Sequence, residues 1–555
     1  MDPPAPTAPT DLTASAAPTV TVVVIGYDDA AHVRDAVRSA LAQGPAVREV
    51  IAVDDCSTDG SGALLDGLAA HEPRLTVVRR ETNSGGCGTP RNDGIARATS
   101  SYLMFLDSDD VLPTGAVDAL LAAAVRHDAQ VTAGLCVRRE LPSGHESPWQ
   151  PELYAKAAVV THPARRPRLV HDTLCVNKLY RTDFLREHAI RFPDGRFVYE
   201  DFVFTARVLA AAPRMALIPD RVYVWHVRRA AERLSLSLDR SGIDNWQARL
   251  DAHRQSVDIL LAASQKRLAR AARSYFLDHS LRMYARELDL RGPEYRSQWW
   301  TRTRAYLESF DTADFEAAPA PGRVVGRLVL ASAAPRDLPR VKEVAARPAR
   351  LLPPYTRAPD GTPVWSADLP QVSLEHLLHR PMDLLPVTVD GELRPSARGT
   401  RLTLRLHELY GRVADAGPRT ADVEIIDRRR GTVLQRRTAT FDALHDAYAE
   451  EASSDDADDE TWVATSVLDL SALGRPGTCD IRLRLHFADG SRRDATAHAV
   501  RGPGLLRRVA VPSRRHGLLL AQPYATHSGA LALRTAPGLR GVVSVVRRRA
   551  ARLLH

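Results

Sequence analysis

At 555 residues the chain exceeds what one hydrophobic core normally supports, so two to four domains are expected. Its 44% hydrophobic and 26% charged residues are ordinary for a globular protein, and no run approaches the roughly 18 apolar residues that cross a bilayer. The formal net charge is +8, yet residues 501–555 hold eleven Arg and no Asp or Glu, leaving the rest slightly acidic. A basic excess confined to one tail without interleaved aromatics argues against nucleic acid as a partner and for a membrane surface or an anionic polymer.

In chain order, residues 1–18 are rich in Pro, Ala and Thr, with no basic residue and no apolar core. They read as a disordered leader and not as a secretory signal, which predicts a cytoplasmic protein. The five scattered cysteines lack zinc-ligand spacing and fit a reducing compartment. From 19 to 238 short apolar runs alternate with helical patterns, the signature of βα units and a mostly parallel sheet. Strands are predicted at 21–25, 49–53, 75–78 and 102–106, and helices at 31–41, 60–70, 89–98 and 115–125. Residues 239–317 lose strand character and read as a helical linker domain, followed by an APAPGR boundary. Strict alternation, as in Leu402, Leu404 and Leu406 or Ile481, Leu483 and Leu485, predicts half-buried antiparallel strands between 324 and 500, in one or two sandwich-like domains. The acidic run 450–460 reads as a solvated loop, and 501–555 as a basic C-terminal tail.

In sheets of this kind ligands sit beyond the carboxyl ends of the strands, where Tyr27 and Asp28, Asp54 and Asp55, and Asp107 to Asp110 cluster. The Asp107-Ser108-Asp109-Asp110 turn suits a divalent cation that stabilises a departing diphosphate, with Asp109 as metal ligand and Asp107 on the ribose or sugar. A cap for the following helix is the alternative reading. Glu200 and Asp201 offer a carboxylate base, or alternatively cap the helix that follows.

Four blocks in order, Val22 to Asp28, Ile51 to Asp59, Asn83 to Ile95 and Phe105 to Asp110, resemble the family 2 glycosyltransferases with the GT-A fold. The resemblance implies an α/β nucleotide-diphospho-sugar transferase domain. Tyr27 matches the position that packs on uracil, Asp55 the carboxylate that accepts from the base N3–H, and Asn83 and Arg91 the lining of the donor pocket. Ile25 stands in the donor-binding set where the family usually has Pro, and Cys56 where it usually has Gly. Asp201 matches the catalytic base, and Glu200 beside it contacts donor sugar or acceptor. His226 corresponds to a ligand of Mn2+ or Mg2+, with a structural imidazole as the equal alternative, and Arg228 to a diphosphate contact; Ser235 and Ser237 are weaker candidates.

Asn177-Lys178-Leu179-Tyr180-Arg181, the Glu-Asp pair, a helical linker and β domains are similar to wall teichoic acid N-acetylglucosaminyltransferases. This implies an inverting, metal-dependent transfer of a sugar, GlcNAc foremost, from a UDP-sugar to an anionic glycopolymer, with homo-oligomers as an open alternative. Arg165, Arg166 and Arg168 fit such an acceptor. The basic apolar segment 541–555 suits peripheral contact with the inner membrane face, or a short docking helix. A capsular or lipid-linked acceptor, or a non-catalytic carbohydrate-binding scaffold, are the competing readings.

Overall fold

The computed structural model describes residues 17–228, 239–396, 399–444, 461–473, 477–500, 505–513 and 517–538. The chain divides into two compact units: residues 1–276 with 301–318, and residues 277–300 with 319–555.

The first unit is built on a mixed sheet. Strands β1 (Val20–Gly26), β2 (Val47–Asp54), β3 (Leu75–Arg79) and β4 (Tyr102–Asp107) are parallel. Between them run helices α1 (Val33–Leu41), α2 (Ser61–Ala69) and α3 (Gly88–Arg97), and α4 (Ala116–His127) follows β4. Each lies within a few residues of its expected place. The sheet continues through β5 (Val131–Glu140), β6 (His145–Pro148), β7 (Ala158–Val160), β8 (Lys178–Arg181) and β9 (Met215–Val227), in the order β3-β2-β1-β4-β8-β5-β9-β7 with β6 beside β5. β8 alone reverses direction between β4 and β5, the arrangement of a GT-A domain. Residues 20–25 of β1 are at most 4% exposed although successive side chains point to opposite faces, so both faces are covered.

Glycine 94 sets how closely α3 approaches β1. A Cβ there would lie 2.2 Å from Val23 Cγ1, on a fully buried, β-branched side chain with no room to rotate. Gly94→Ala gains about 1 kcal/mol of helix propensity but forces an overlap worth roughly 1–3 kcal/mol or more, so a net loss is expected. Calorimetry should show a melting temperature lower by roughly 2–6 °C; a variant melting at or above the parent would mean that α3 shifts freely on β1.

Helices α5 (Thr182–Glu187) and α6 (Glu200–Ala210) complete the α/β part, and α7 (Ile243–Ala262) and α8 (Lys266–Tyr275) follow. α7 is anchored by fully buried Trp246, which donates its indole N–H to Thr303 Oγ1 at 3.0 Å, and by His253. His253 Nε2 lies 3.0 Å from the Ala272 carbonyl, which only accepts, so Nδ1 accepts from the Tyr306 hydroxyl at 2.6 Å. Burial, together with Arg249 and Arg273, lowers this imidazole to about 3 against that hydrogen bond, so it is neutral.

In the second unit, helices Ala320–Ala331 and Leu338–Ala345 occupy the start of the stretch expected to be β from 324. Val324, Val325, Leu328 and Val329 recur at helical spacing and are all buried, so one apolar stripe wins over alternation. Long strands begin at Val389–Arg394, and among the described residues ten join in one hydrogen-bonded path, with an eleventh, Arg492–Thr496, paired beside it. The alternating residues fall as expected: Leu402, Leu404, Leu406, Leu483 and Leu485 are fully buried. Strand Val433–Leu444 pairs first with Pro418–Asp427 and then with Thr461–Leu468, passing from one sheet to the next.

The expected tail from 501 is partly sheet. Val509–Ser513, Gly517–Ala525 and Leu531–Pro537 are strands, because Val511, Leu519, Ala521, Leu531 and Leu533 alternate inward while the arginines between elements do not interrupt them. The acidic run 450–460, Ser235, Ser237, the segment 541–555 and most of the leader lie outside the described residues. No helix among the described residues is long and apolar enough to cross a membrane.

Candidate active site

The carboxyl ends of β1, β2 and β4 carry the predicted donor residues. Ile25 is buried at 4%, and its carbonyl accepts from the Ser108 N–H at 2.9 Å, so its side chain faces the core and not a ligand. Tyr27, just beyond β1, is 39% exposed, which suits a stacking platform. The loops after β1 and β2 are stitched together: Asp28 Oδ1 accepts from the Thr58 N–H at 2.7 Å, and the Asp28 N–H donates to Ser57 Oγ at 2.9 Å.

Asp55 is 3% exposed and already well satisfied. Oδ1 lies 2.9 Å from Arg80 Nε, while Oδ2 accepts from the Ser84 hydroxyl at 2.8 Å and the Asn83 amide at 3.1 Å. The Ser84 N–H reaches both oxygens. Asp55 and Asn83, assigned separately to the donor pocket, thus form one unit in which the carboxylate holds the 80–84 segment; a base N–H would have to share these oxygens. The glycines that follow let this segment run against the chain before α6: a Cβ on Gly88 would lie 2.2 Å from the Pro193 carbonyl oxygen.

The four residues after Phe105-Leu106 have four different tasks. Helix α4 begins only at Ala116, with Gly115 in the cap position, so the turn does not cap it. Ser108 Oγ donates to Asp29 Oδ2 at 2.7 Å. Asp110, 3% exposed, accepts from the Tyr223 hydroxyl at 2.8 Å and the His226 N–H at 2.7 Å, tying β9 to β4. Asp107 Oδ1 accepts from Arg91 Nη2 at 2.6 Å, and Asp109 Oδ2 from Arg228 Nη1 at 2.9 Å.

Arg91, expected to line the donor pocket, where an arginine pairs with phosphate oxygens, already has protein partners. Its side chain is 4% exposed, with Nη1 on Glu200 Oε1 at 2.5 Å and Nη2 on Asp107. Phe192 lies under it, 5.3 Å from the guanidinium carbon to the ring centroid. A guanidinium already shared by two carboxylates and buried between them is a bridge from β4 to α6, not a ready phosphate contact.

His226 stands beside Asp109. Its Nδ1 is 3.0 Å from the Asp109 carbonyl, so Nδ1 carries the proton and Nε2 keeps a lone pair. Burial, with Arg228 and Arg139 nearby, lowers this imidazole against that hydrogen bond and keeps it neutral. Burial, aided by Asp107 and Asp29 and opposed by Arg228, raises Asp109 to about 6. Asp109, paired on one side with Arg228, and the neutral imidazole of His226 beside it are a donor set that suits a divalent cation. Among the described residues no three His, Cys, Asp or Glu side chains are arranged to hold a metal by themselves. Mg2+ is usually held by one or two carboxylates together with substrate phosphates and water, and Asp109 is the carboxylate that would serve here. Arg228 pairs with Asp109 through both its carboxylate and its carbonyl.

At the start of α6 neither acidic residue is a cap: Tyr199 holds the cap position at φ 67°, and no side chain caps the helix. Phe204, one turn in, stacks on Phe192 with centroids 3.9 Å apart and meets Phe105 edge-on, which fixes α6 against β4. Glu200 is committed to Arg91. Asp201 has no hydrogen-bonding or ion-pairing partner among the described residues. Burial and the Glu200 charge, opposed by Arg91 and Arg249, raise it to about 8.

Sequence reasoning missed the meaning of Asn177-Lys178. Lys178 is 5% exposed, with Nζ 2.7 Å from Asp172 Oδ2; Asn177 donates to the Gly134 carbonyl at 2.9 Å, and Trp149 to Asp172 Oδ1 at 2.9 Å. The motif is a buried polar brace between β5 and β8, and no local pattern marks it as such. Of the three arginines assigned to an acceptor surface, Arg166 donates to the Leu153 carbonyl and Arg168 pairs with Glu152.

Residues 21–189 match the family model Glycosyl transferase family 2. The succinoglycan biosynthesis protein ExoO of Rhizobium meliloti is 30% identical over 267 residues, 46% of this chain and 74% of that protein. The poly(ribitol-phosphate) beta-N-acetylglucosaminyltransferase TarS of Staphylococcus aureus is 32% identical over 187 residues, 34% of this chain and 31% of that protein. A poly(ribitol-phosphate) beta-glucosyltransferase of Bacillus spizizenii is 29% identical over 192 residues, 34% of this chain and 29% of its own length. The match thus spans about a third of these two relatives. Among solved structures, S. aureus TarS aligns over 94% of this chain and 86% of its own, at 17% identity and a TM-score of 0.49. TarS 1–349 in complex with UDP-GlcNAc aligns over 59% and 90%, at 22% identity and a TM-score of 0.47.

Proposed function

The chain belongs to glycosyl transferase family 2, and from that premise we propose that it moves GlcNAc from UDP-GlcNAc to a hydroxyl of an anionic cell-envelope glycopolymer such as teichoic acid. The observation that carries the mechanism is the division of labour between neighbours: Arg91 binds Glu200 and Asp107, and Asp201 beside them has no hydrogen-bonding or ion-pairing partner among the described residues. Asp201 takes the proton of the acceptor hydroxyl as that oxygen bonds to the anomeric carbon. The bond from that carbon to the diphosphate oxygen breaks on the opposite face, with its electron pair leaving on UDP, so configuration inverts. Tyr27 stacks on the uracil, and the Asp55–Asn83 unit shapes the pocket wall. Asp109 and His226 would hold Mn2+ or Mg2+, with Arg228 on the diphosphate. When bound, the cation supplies positive charge to the leaving group.

A donor screen by UDP release, with poly(ribitol phosphate) as acceptor, tests this reading; release from no UDP-sugar would refute it. The likeness to ExoO, a succinoglycan biosynthesis protein matched over most of its length, supports a second reading in which the product is a polysaccharide, and we propose a lipid-linked or capsular acceptor for it. Turnover on lipid-linked oligosaccharide but not on poly(ribitol phosphate) would select it. Asp109→Ala should weaken UDP binding in Mn2+ by roughly 10-fold or more and leave metal-free binding unchanged, as read by calorimetry. Full Mn2+-dependent affinity would remove Asp109 from the metal site. Homo-oligomers and contact of the basic C-terminus with the inner membrane face belong to the same proposal, and are checked by sedimentation velocity and by co-sedimentation with phosphatidylglycerol vesicles.

A further inference from the structure

The Glu200-Asp201 pair is flanked in sequence by two aromatic residues, Tyr199 and Phe202, and both are held from a helix outside the family-matched segment. Tyr199, 6% exposed, adopts a left-handed backbone at φ 67° and ψ 36° directly before Glu200. Such a conformation in a bulky non-glycine residue persists only when its surroundings over-determine it. Among the described residues, those surroundings include two residues one turn apart on α7. Asn245 Oδ1 accepts from the Tyr199 hydroxyl at 2.9 Å. The Arg249 guanidinium, 7% exposed, lies 4.7 Å from the Tyr199 ring centroid and 5.1 Å from that of Phe202. The two rings are themselves 5.3 Å apart. One cation thus packs on the residues on both sides of the Glu200-Asp201 pair, at distances that make cation–π contacts favourable in a desolvated site.

We propose that α7 is the positioning element of the active site: Asn245 and Arg249 clamp Tyr199 and Phe202, and so fix the left-handed turn that aims Asp201 at the acceptor hydroxyl. Neither residue touches the reacting atoms. The inference rests on the reading of Asp201 as the base. The charged groups facing Asp201 are Glu200 on its own helix, Arg91 from α3, Asp107 from β4 and Arg249 from α7, with the Cys175 thiol and the Tyr180 phenol, both pushed up by burial, neutral beside them. Arg249 is therefore both a mechanical support and, with Arg91, a cation that favours the ionised base.

The full chain is compared with Asn245→Ala, Tyr199→Phe, Arg249→Met, Arg249→Lys and Asp201→Asn, on UDP-GlcNAc with poly(ribitol phosphate). Arg249→Met should lower kcat roughly tenfold with the donor KM within about twofold, because aim and not donor binding is lost. It should also move the rising, acid-side limb of the pH profile up by about half a unit or more. Arg249→Lys should restore the midpoint but not all of kcat, since Lys keeps the charge without the planar fork. Tyr199→Phe and Asn245→Ala should lower kcat roughly three- to tenfold without moving the midpoint. The midpoint is also read without substrate, as the pH above which the gain in melting temperature of Asp201→Asn over its parent levels off, in the wild-type and Arg249→Met backgrounds.

Folded Arg249→Met, Tyr199→Phe and Asn245→Ala chains with parental kcat and an unmoved midpoint would overturn the clamp. If Arg249→Met does not fold, Tyr199→Phe, which removes a single oxygen, decides by its kcat alone. Full turnover by Asp201→Asn would overturn the base assignment instead, and the substrate-free midpoint would still decide whether Arg249 acts on Asp201.

Discussion

Asp201→Asn should lower turnover by about two orders of magnitude or more while UDP binds with near-parental affinity, the signature of a lost general base. The same substitution should raise the melting temperature. Asp201 is raised from 3.8 to about 8 by burial and by Glu200. At neutral pH the folded chain therefore keeps a proton that the unfolded chain releases. The stability tied to that proton is fully present below the unfolded value of 3.8 and is lost as pH rises through about 8. Asparagine, which never ionises, escapes this loss, so the variant's advantage should be absent near pH 3.8, grow through neutrality and level off above about 8. In the parent, kcat/KM should climb with pH and flatten near the same point, because the free enzyme must first lose the proton. An Asp201→Asn chain that turned over normally, or that melted below its parent at pH 8, would remove Asp201 from the role of a buried base with a raised pKa.

The parallel half of the sheet was legible because its physics is local. Residues 20–25 and 102–106 are short apolar runs bounded by polar turns, and a strand buried on both faces leaves that mark in any sequence. The acidic residues at strand ends were equally visible, because position after a strand fixes where a side chain emerges. What could not be read was which neighbour each one takes. Asp55 meets Asn83 and Ser84 across 28 and 29 residues, and Arg91 meets Glu200 across 109. A buried bridging arginine and a phosphate-binding arginine look the same in one dimension. Lys178 presents the same difficulty: its charge suggests a surface, whereas its Nζ is enclosed by Asp172 and two neighbouring acceptors. In the second unit Val324 to Val329 satisfied both a strand-rich composition and a helical stripe, and burial of one face decided for the helix.

Arg91→Met separates the bridge from the phosphate contact by moving different observables. As a bridge, Arg91 is the countercharge of Glu200, whose side chain is 13% exposed, and of Asp107, at 34%. Removing it leaves the better-buried carboxylate unpaired, a change that costs about 3–5 kcal/mol in closed sites and less here, because water screens Asp107. A loss of roughly 2–3 kcal/mol corresponds to a melting temperature lower by roughly 4–12 °C. Arg91→Lys should not restore it, since one ammonium cannot donate along two divergent directions as the guanidinium does. The chemistry should suffer with the fold. Arg91 is among the charges that hold Asp201 down, so its loss drives that group further above 8 and moves the rising, acid-side limb of kcat/KM to higher pH. UDP affinity, measured on the folded fraction at a temperature where both chains are native, should change less than kcat. A phosphate-binding Arg91 predicts the reverse: unchanged melting, a steep loss of UDP affinity that salt diminishes, and a pH profile that does not move. The buried guanidinium, with both terminal nitrogens already on carboxylates, favours the first set of results.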